Sequence, residues 1–416
     1  MSSVTDILAG YEDLRAGQEA FYKDLHQHPE LSHQEHRTAQ RVAERLHEYG
    51  FTVEAGIGGT GLVGVLANGS GPTVLLRAEL DGLPVREDTG ADYASTATAK
   101  DARGNEVPVA HACGHDMHMA CMLGMARLLA EHRGQWNGTL LPLFQPAEET
   151  ADGAQGMVDD GLFKRIPVPD VALAQHVLPG LVGTVSTRPG PFMAAADSIR
   201  ATVYGRGGHG SMPQHTTDPV VLAAMIIVRL QTIVAREVTP GDTAVVTVGS
   251  VQAGSRSNLI PDRAVLELNV RSYSPDTRQR ILAAIQRIVR AECEASGSPR
   301  DPDFDTEYSF PVTDNDAATT ARVAAAFATQ FGGDAGELAR QTVSEDFSKI
   351  PDAAGVPYTY WGIGFTDEKT YRAAQKAGRL EDLPTNHSPR FLPPLQPTLR
   401  TGTAALTAAA LAWLAS

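Results

Sequence analysis

Apolar residues follow two spacings along the chain. Leu14, Phe21 and Leu25 recur at helical spacing and predict helix in the part of the chain before about residue 52. Continuous apolar runs predict four buried strands, at residues 61–66, 73–80, 138–145 and 171–176. Helical patterns after residue 116 and near 153–162 separate the later strands. This alternation predicts an α/β fold in which a mainly parallel sheet carries helices on both faces.

The pattern changes near residue 194. Here the sequence predicts a strand at 198–204, a helix from Asp218-Pro219 through Arg236, strands at 244–251 and 264–271, and a helix from Pro275 to about 294. This βαββα order predicts a smaller two-layer domain inserted into a larger one. Because 416 residues exceed one hydrophobic core, we expect a main domain of residues 1–193 and 306–416 and an insert of residues 194–305.

Composition narrows the class of protein. A formal net charge of −14 disfavours nucleic acid and anionic membranes as partners. The first residues lack a basic region followed by an apolar core, and the apolar C-terminal stretch is short, so neither secretion nor a membrane span is expected. Three cysteines, Cys113, Cys121 and Cys293, suit a reducing compartment better than a disulfide framework. These features favour a cytoplasmic protein.

Candidate metal ligands are concentrated in the run from Val109 to Ala120. It contains three histidines, one cysteine and one aspartate at the start of a predicted helix. Thiolate and imidazole are ligands that zinc, nickel, cobalt and manganese accept. The two-residue spacing of Cys113 and His115 suits a turn that enters a helix. This run alone predicts part of a metal site and needs further ligands.

Those further ligands follow other predicted strands. Glu148 and Glu149 follow the apolar run 141–145, His176 follows the run 171–175, and His387 lies near the end of the chain. Two adjacent carboxylates at the end of a buried strand are costly unless a cation lies near them. Together these donors exceed what one metal ion needs.

Three histidines near the end of the first helical region, His26, His28 and His33, also suggest a metal site. Pro29 interrupts the helix between them. We therefore expect surface histidines beside a helix break, without a ligand role.

Six motifs in order resemble those of one family. They are Arg77-Ala-Glu-Leu-Asp-Gly-Leu-Pro84, His111-Ala-Cys-Gly-His-Asp-Met-His118, Gln145-Pro-Ala-Glu-Glu149, Gly207-Gly-His-Gly210, Ser344-Glu-Asp-Phe-Ser348 and Asn386-His-Ser388. The chain resembles amidohydrolases of the aminoacylase, hippurate hydrolase and indole-acetyl-amino-acid hydrolase type. These belong, with glutamate carboxypeptidase, to the co-catalytic dinuclear metallopeptidases. The resemblance extends from about His26 to the last predicted helix.

The resemblance implies a hydrolase of N-acyl amino acids with two divalent metal ions, which are zinc, manganese, nickel or cobalt ions. It implies that Cys113 bridges the two metals. Glu149 and His387 would then complete one metal site, and His115 and His176 would complete the other. The substrate implied is a small molecule in which an acyl group is joined to an amino acid by an amide bond.

The resemblance also implies roles for residues that do not bind metal. Glu148 would be the general base that takes a proton from the attacking water and passes it to the leaving amine. The wider clan has a His-x-Asp pair where this chain has Glu79-x-Asp81. We therefore expect no ligand at Glu79, and we expect Asp81 to orient a histidine ligand.

The insert carries a glycine-rich segment, Gly205-Arg-Gly-Gly-His-Gly210. The segment matches the dinucleotide-binding pattern Gly-x-Gly-x-x-Gly. The next predicted helix begins only at Asp218, so no helix N-terminus is available for a pyrophosphate, and nucleotide binding is disfavoured. In the resembling family the histidine at this place, here His209, belongs to a lid and helps hold the carbonyl oxygen of the substrate. We expect the insert to move as a lid about residues 195–196 and 308–309, with Asn258 as a polar contact, and to offer a surface for a homodimer.

Arg271 ends the predicted strand 264–271 in the insert. Arginine suits a bidentate clamp on the free carboxylate of an N-acyl amino acid. The alternative is a surface ion pair with Asp276 or Glu267.

Two other classes of function stay open. Cys113 could be the nucleophile of a Cys-His amidase, although this leaves Glu148, Glu149, His176 and His387 without a role. The chain could also be a metal-binding or regulatory protein that kept the fold and lost catalysis. A chelation test distinguishes the Cys-His amidase from a metal-dependent amidohydrolase. A turnover assay distinguishes the protein without catalysis from an enzyme.

Overall fold

The computed structural model describes residues 4–415, which form two compact units. The first unit contains the residues up to Gly190, Asp314–Ala339 and the residues from Asp346 onwards. The second unit contains Pro191–Thr313 and Arg340–Glu345. The second unit thus continues beyond the predicted boundary at residue 305 and includes a short segment that the sequence pattern placed in the main domain.

The helices and strands are named in chain order. The helices are α1 Val4–Leu8, α2 Tyr11–Gln27, α3 His36–Glu48, α4 His115–Glu131, α5 Gly153–Asp159, α6 Leu162–Arg165, α7 Pro219–Arg236, α8 Pro275–Ala295, α9 Ala317–Phe331, α10 Lys349–Ala354, α11 Glu368–Ala377 and α12 Leu395–Leu414. The strands are β1 Thr52–Ile57, β2 Gly61–Asn68, β3 Thr73–Glu79, β4 Thr98–Lys100, β5 Glu106–Pro108, β6 Gly138–Gln145, β7 Val171–Leu181, β8 Val185–Thr187, β9 Gly190–Met193, β10 Ala195–Tyr204, β11 Gly208–His209, β12 Ala244–Ala253, β13 Leu259–Ile260, β14 Arg263–Ser272, β15 Asp303–Phe310, β16 Thr313–Asn315, β17 Ala335–Glu337 and β18 Tyr358–Thr366.

The first unit is built on an eight-stranded sheet with the order β1-β2-β6-β3-β7-β18-β8-β17. Its centre, β6-β3-β7-β18, is parallel, and antiparallel pairs flank it. The central strands are buried along almost their whole length, as expected for parallel strands that helices cover on both faces. The prediction of a mainly parallel α/β sheet is confirmed.

Helices α4 and α12 form much of the core of this unit. Almost every residue of α4 is buried, and so is most of α12. The two helices approach closely because small residues face each other: a Cβ on Gly402 would meet Cys121 Sγ at 2.5 Å. Each fully buried leucine in this layer, such as Leu128 or Leu399, contributes roughly 1.5–3 kcal/mol. The helix α4 that begins at His115 is therefore fixed firmly against the sheet.

The second unit has a four-stranded antiparallel sheet with the order β12-β14-β10-β15. Helices α7 and α8 pack against it through one apolar core. The helix α7 begins as predicted, because the Asp218 side chain accepts a hydrogen bond from the Val220 N–H at 2.8 Å and Pro219 occupies the first turn.

One sequence prediction about the second unit, its element order, is wrong. The element order is βαββαβ, because β15 adds a fourth strand that the βαββα prediction lacks. Residues 195–196 and 308–309, predicted as hinges, lie within the paired strands β10 and β15. The ladder of hydrogen bonds restricts backbone rotation there, and a hinge at these residues stays a prediction.

Candidate metal centre

The candidate site lies in the first unit, where strands of the parallel sheet end. Asp81 follows β3, and Glu148 and Glu149 follow β6. His176 lies within β7, which continues to Leu181 rather than ending near His176 as predicted. Polar groups converge at the carboxyl ends of parallel strands because no helix covers that edge.

The start of α4 brings the cysteine and a histidine to this edge. Gly114 caps the helix with φ +89°, in the left-handed region. A Cβ on Gly114 would lie 2.4 Å from Val177 Cγ2, so only glycine fits this close turn. The turn places Cys113 before the helix and His115 at its first residue. A thiolate at Cys113 is favoured by the positive end of the helix dipole.

The donor atoms of the five predicted ligands lie in two groups that share Cys113. In the first group, Cys113 lies with His115 and His176, and their ligand atoms are within 4.8 Å of one another. In the second group, Cys113 lies with Glu149 and His387, and their ligand atoms are also within 4.8 Å of one another. The distance from Cys113 Sγ to His176 Nε2 is 3.4 Å, and His387 Nε2 is 3.3 Å from Glu149 Oε1.

The two glutamates follow a sharp turn after β6. Ala147 adopts φ +50°, which is rare for a residue other than glycine. Past this turn, Glu148 Oε2 lies 3.8 Å and Glu149 Oε1 lies 4.0 Å from His115 Nε2. Only Glu149 also belongs to the group with Cys113 and His387. The neighbouring carboxylates thus face the same histidine but differ in their other neighbours.

Asp81 links His115 to the glutamate turn. His115 Nδ1 lies 2.9 Å from the Asp81 carbonyl oxygen and 3.2 Å from Asp81 Oδ1. Asp81 Oδ2 accepts the backbone N–H of Glu149 at 3.0 Å. Because Nδ1 of His115 faces these acceptors, it carries the proton of the neutral ring, and Nε2 of that tautomer can offer its lone pair to a cation.

His387 is held by its backbone. It adopts φ +67°, and its N–H donates to the Ala112 carbonyl at 2.7 Å. The Asn386 side chain donates to the carbonyl oxygens of Cys113 and Val177 at 3.2 and 3.1 Å. Asn386 therefore ties this loop to the segments that carry Cys113 and His176, a positional role that its motif did not reveal.

Glu79 and His118 form a buried network beside the site. Glu79 pairs with Arg77, and its other oxygen accepts from His118 Nδ1 at 2.7 Å. His118 Nε2 accepts the Val177 N–H at 2.9 Å. Both ring nitrogens of His118 are therefore occupied, although its ring packs 4.5 Å from that of His176. His118 orients the strand segment next to His176, and it has no lone pair left for a metal.

The donor set fits a pair of divalent cations. Within residues 4–415, the buried atoms His115 Nε2 and Glu149 Oε1 have no hydrogen-bond partner. Without a cation, burial and the nearby Glu149 raise the pKa of the Cys113 thiol well above its usual value, and burial lowers the pKa of His176 far below its usual value. A bound cation would favour the Cys113 thiolate and would take the neutral form of His176 as a ligand. Unpaired buried atoms of mixed S, N and O character are what such a site requires.

The prediction that His26 is a surface residue is wrong. Its side chain is buried, with Nδ1 2.6 Å from Asp116 Oδ2 and Nε2 3.1 Å from Glu87 Oε1. Burial opposes the charged ring, but the hydrogen bonds to Asp116 and Glu87 outweigh it and raise the pKa of His26 to about 10. The buried imidazolium pairs with Asp116 of α4.

The remaining predicted site residues lie in the second unit. His209 is exposed, and its Nδ1 accepts the Ser211 N–H at 3.1 Å. The Gly210 N–H donates to the Asn258 carbonyl oxygen at 2.9 Å, so the loops that carry His209 and Asn258 are neighbours. Arg271 is half-buried and donates to Asn269 and Ser344.

The predicted ion pairs of Arg271 are absent from the described part of the chain. Neither Asp276 nor Glu267 pairs with it, and Glu267 instead pairs with Arg200 at 3.2 Å. The alternative that Arg271 serves only as a partner for these two acids is therefore wrong.

Comparison with known proteins shows what the whole chain is similar to. The sequence model of peptidase family M20/M25/M40 matches residues 75–386. N-acetyl-L-cysteine deacetylase of Bacillus subtilis is 39% identical over 275 residues, which are 65% of this chain and 63% of that protein. Hippurate hydrolase of Campylobacter jejuni is 39% identical over 298 residues, 71% of this chain and 74% of that protein. The solved structure of B. subtilis YXEP, described as a dinuclear metal-binding peptidase of the M20 family, has a TM-score of 0.76 and 26% identity and covers 96% of this chain and 98% of its own.

Proposed function

Because the chain belongs to peptidase family M20/M25/M40, a family with dinuclear metal-binding hydrolases, we propose that it cleaves the amide bond of N-acyl amino acids. The observation that carries the proposal is the pair of ligand groups that share Cys113, with Glu148 beside them. Relatives named as an N-acetyl-L-cysteine deacetylase and a hippurate hydrolase support this substrate class.

Five residues would hold the metal ions. Cys113 would bridge, with Glu149 and His387 on one ion and His115 and His176 on the other. Bound in these positions, two divalent cations supply positive charge that makes a water molecule more acidic and polarises a carbonyl group. Zinc, manganese, nickel and cobalt all suit this mixture of donors.

Glu148 would be the general base. Its carboxylate lies 3.8 Å from His115 Nε2, next to the metal ligands, and Glu148 does not share the Cys113–His387 group that contains Glu149. A carboxylate in this place can accept a proton from the attacking water and deliver it to the leaving nitrogen. Asp81 would keep His115 Nε2 directed at the metal by accepting its Nδ1 proton.

His209 would donate a hydrogen bond to the carbonyl oxygen of the substrate. Since Nδ1 accepts the Ser211 N–H, a neutral His209 carries its proton on Nε2. That tautomer suits a donor to an oxygen that gains negative charge during attack. We propose the second unit as a lid that carries this donor, with Asn258 as a further polar contact.

Arg271 would bind the free carboxylate of the substrate. Within the described residues it has no carboxylate partner, although it is half-buried. The hydrogen bonds from its Nε to Asn269 and from one terminal nitrogen to Ser344 hold the guanidinium plane in a fixed direction. A fixed guanidinium without a partner charge is suited to a carboxylate.

We also propose that the second unit forms a homodimer. Val221, Met225 and Val228 lie along one face of α7 at helical spacing and are 59%, 50% and 68% exposed. The strand β12 ends the four-stranded sheet, and its outer edge can pair with a copy of itself. The helix α7 is also long and apolar enough to cross a membrane, and 33% of its residues are buried within the second unit.

The dimer proposal is tested by molar mass in solution. Val228→Glu should give a monomer, because a charge then lies in the centre of the apolar face. Val168→Glu is a matched control, since Val168 of the first unit is 54% exposed, and it should leave the mass unchanged. A monomeric parent protein would contradict the proposal.

For the compartment, we propose the reducing cytoplasm. Cys113, Cys121 and Cys293 are all buried and unpaired in the structure, and a metal-binding thiol needs to stay reduced.

The proposed activity is tested with a panel of N-acetyl, N-benzoyl and longer N-acyl amino acids. Release of the free amino acid from at least one member is expected. The absence of hydrolysis by protein that holds both metals would contradict the proposal.

A further inference from the structure

Glu35 is a buried carboxylate that the proposed mechanism does not use. It follows the helix break after α2 and precedes α3. Its side chain is fully buried, and within residues 4–415 it forms no ion pair. Burial and the nearby Asp81 raise its pKa. A carboxylate is costly to bury without a cation. The hydrogen bonds that Glu35 accepts must therefore offset this cost.

One carboxylate oxygen of Glu35 accepts hydrogen bonds from the backbone N–H groups of two strained residues. Oε1 accepts the Ala147 N–H at 2.8 Å and the His33 N–H at 3.0 Å. Both donors have left-handed backbone, with φ +50° at Ala147 and +66° at His33. Residues with a Cβ avoid this conformation unless the surroundings hold them in it. Oε2 accepts the Thr60 hydroxyl at 2.7 Å, which fixes the carboxylate.

The Ala147 turn determines where the two glutamates point. Ala147 directly precedes Glu148 and is two residues before Glu149. Downstream, the Glu149 N–H is held by Asp81. The turn is therefore held from both sides, by Glu35 on Ala147 and by Asp81 on Glu149.

We propose that Glu35 is a positioning residue for the glutamate pair: by accepting the Ala147 N–H, it holds the turn that directs Glu149 to the metals and Glu148 to the water. This inference rests on the proposed function for the roles of the two glutamates. Glu35 is not among the proposed metal ligands or substrate contacts.

The chain offers a matched control at Glu30. Its carboxylate accepts the backbone N–H groups of Arg37 and Thr38 at 3.0 and 2.7 Å. Glu30 thus stabilises the start of α3, and within residues 4–415 it forms no hydrogen bond with the turn at Ala147. Loss of Glu30 should lower stability without moving the glutamate pair.

The test uses the full-length chain, stripped of metal and titrated with Co²⁺, with Co²⁺ affinity read from the thiolate charge-transfer absorption. Glu35→Ala should weaken Co²⁺ binding about 10- to 100-fold, as is usual for residues that orient ligands. It should also lower kcat at saturating metal while KM changes little. Glu35→Gln keeps an acceptor oxygen and should restore both values to within about threefold of the parent protein. Glu30→Ala should change neither, although it lowers the melting temperature.

Glu35→Asp keeps the charge but withdraws the oxygens from Ala147, so it should resemble Glu35→Ala and serves as the second variant if Glu35→Ala does not fold. The proposal is overturned if the Glu35 variants lose no more Co²⁺ affinity than Glu30→Ala, or if Glu35→Gln is as impaired as Glu35→Ala. Failure of the proposed function looks different: the parent protein then hydrolyses no N-acyl amino acid, while Co²⁺ binding still reports on Glu35.

Discussion

His387 Nε2 lies 3.3 Å from Glu149 Oε1, although the two residues come from distant parts of the chain. In the metal-free protein, the neighbouring Glu149 carboxylate raises the pKa of His387. The same two atoms lie near Cys113 Sγ, so a divalent cation can replace the shared proton. Through this contact, His387 near the end of the chain completes the candidate metal site.

The two neighbouring glutamates should behave differently when each becomes glutamine. Glu148→Gln should keep both metals and lower kcat by about a hundredfold to ten-thousandfold, because an amide cannot accept the proton of water. Glu149→Gln should lose metal. Metal content and kcat measured on the same samples decide the matter. If Glu148→Gln loses metal and Glu149→Gln keeps it, the two roles are reversed.

His209→Ala should lower kcat by about 100- to 1,000-fold, the usual cost of one donor to a developing oxyanion. Metal content should stay at the parent value, because His209 is not among the proposed ligands. His215→Ala is the control, since His215 is an exposed histidine of the same loop. Unaltered kinetics of His209→Ala would make the glycine-rich loop merely structural.

Arg271 should make the enzyme selective for a free carboxylate. The parent protein should have a higher kcat/KM for an N-acyl amino acid than for its C-terminal amide, and Arg271→Lys should reduce this difference because lysine cannot bind in a bidentate way. Arg263→Lys, on the same strand, serves as the control. Equal specificity constants for acid and amide in the parent protein would mean that no carboxylate clamp exists.

The buried His26 should make stability depend on pH. Its folded pKa of about 10 lies above the unfolded value of 6.5, so its stabilisation is fully present below pH 6.5 and is lost as the pH rises to about 10. In this window it should contribute a fall of about 1.4 kcal/mol per pH unit in the free energy of unfolding. Urea unfolding of His26→Asn should lack that contribution, and the exposed control His28→Asn should keep it. Identical slopes for the two variants would contradict a charged His26.

The sequence predicts the main elements of the fold well where apolar patterning is strong. The continuous apolar strands β3 and β6 and the capped helix α7 lie where the pattern places them. The strand β15 was missed because Asp303-Phe-Asp-Thr-Glu-Tyr-Ser-Phe310 is half-exposed and acidic, and an edge strand needs only one buried face. The strands β8 and β17 have three residues each, which is too short for a periodic signal.

For the site, the sequence identifies donor types but not their supports. Cys113, His115 and Glu149 stand out because soft and charged donors are rare beside buried strands. Glu35 and Asn386 act through backbone groups of other segments, and nothing in their local pattern predicts such long-range hydrogen bonds. His26 was misplaced for the same reason: Pro29 marks a helix break, but the acids that bury His26 come from other elements.

Hydrolysis of N-acyl amino acids should depend on two metal ions bound through Cys113. It is tested most directly by elemental analysis of the purified protein, with turnover of the N-acyl panel measured on the same sample before chelation, after chelation and after metal is restored. We expect two divalent ions per chain, loss of turnover on chelation, recovery on restoration, and fewer bound ions in Cys113→Ser. Full turnover by the metal-free protein, or an unchanged metal content in Cys113→Ser, would contradict it.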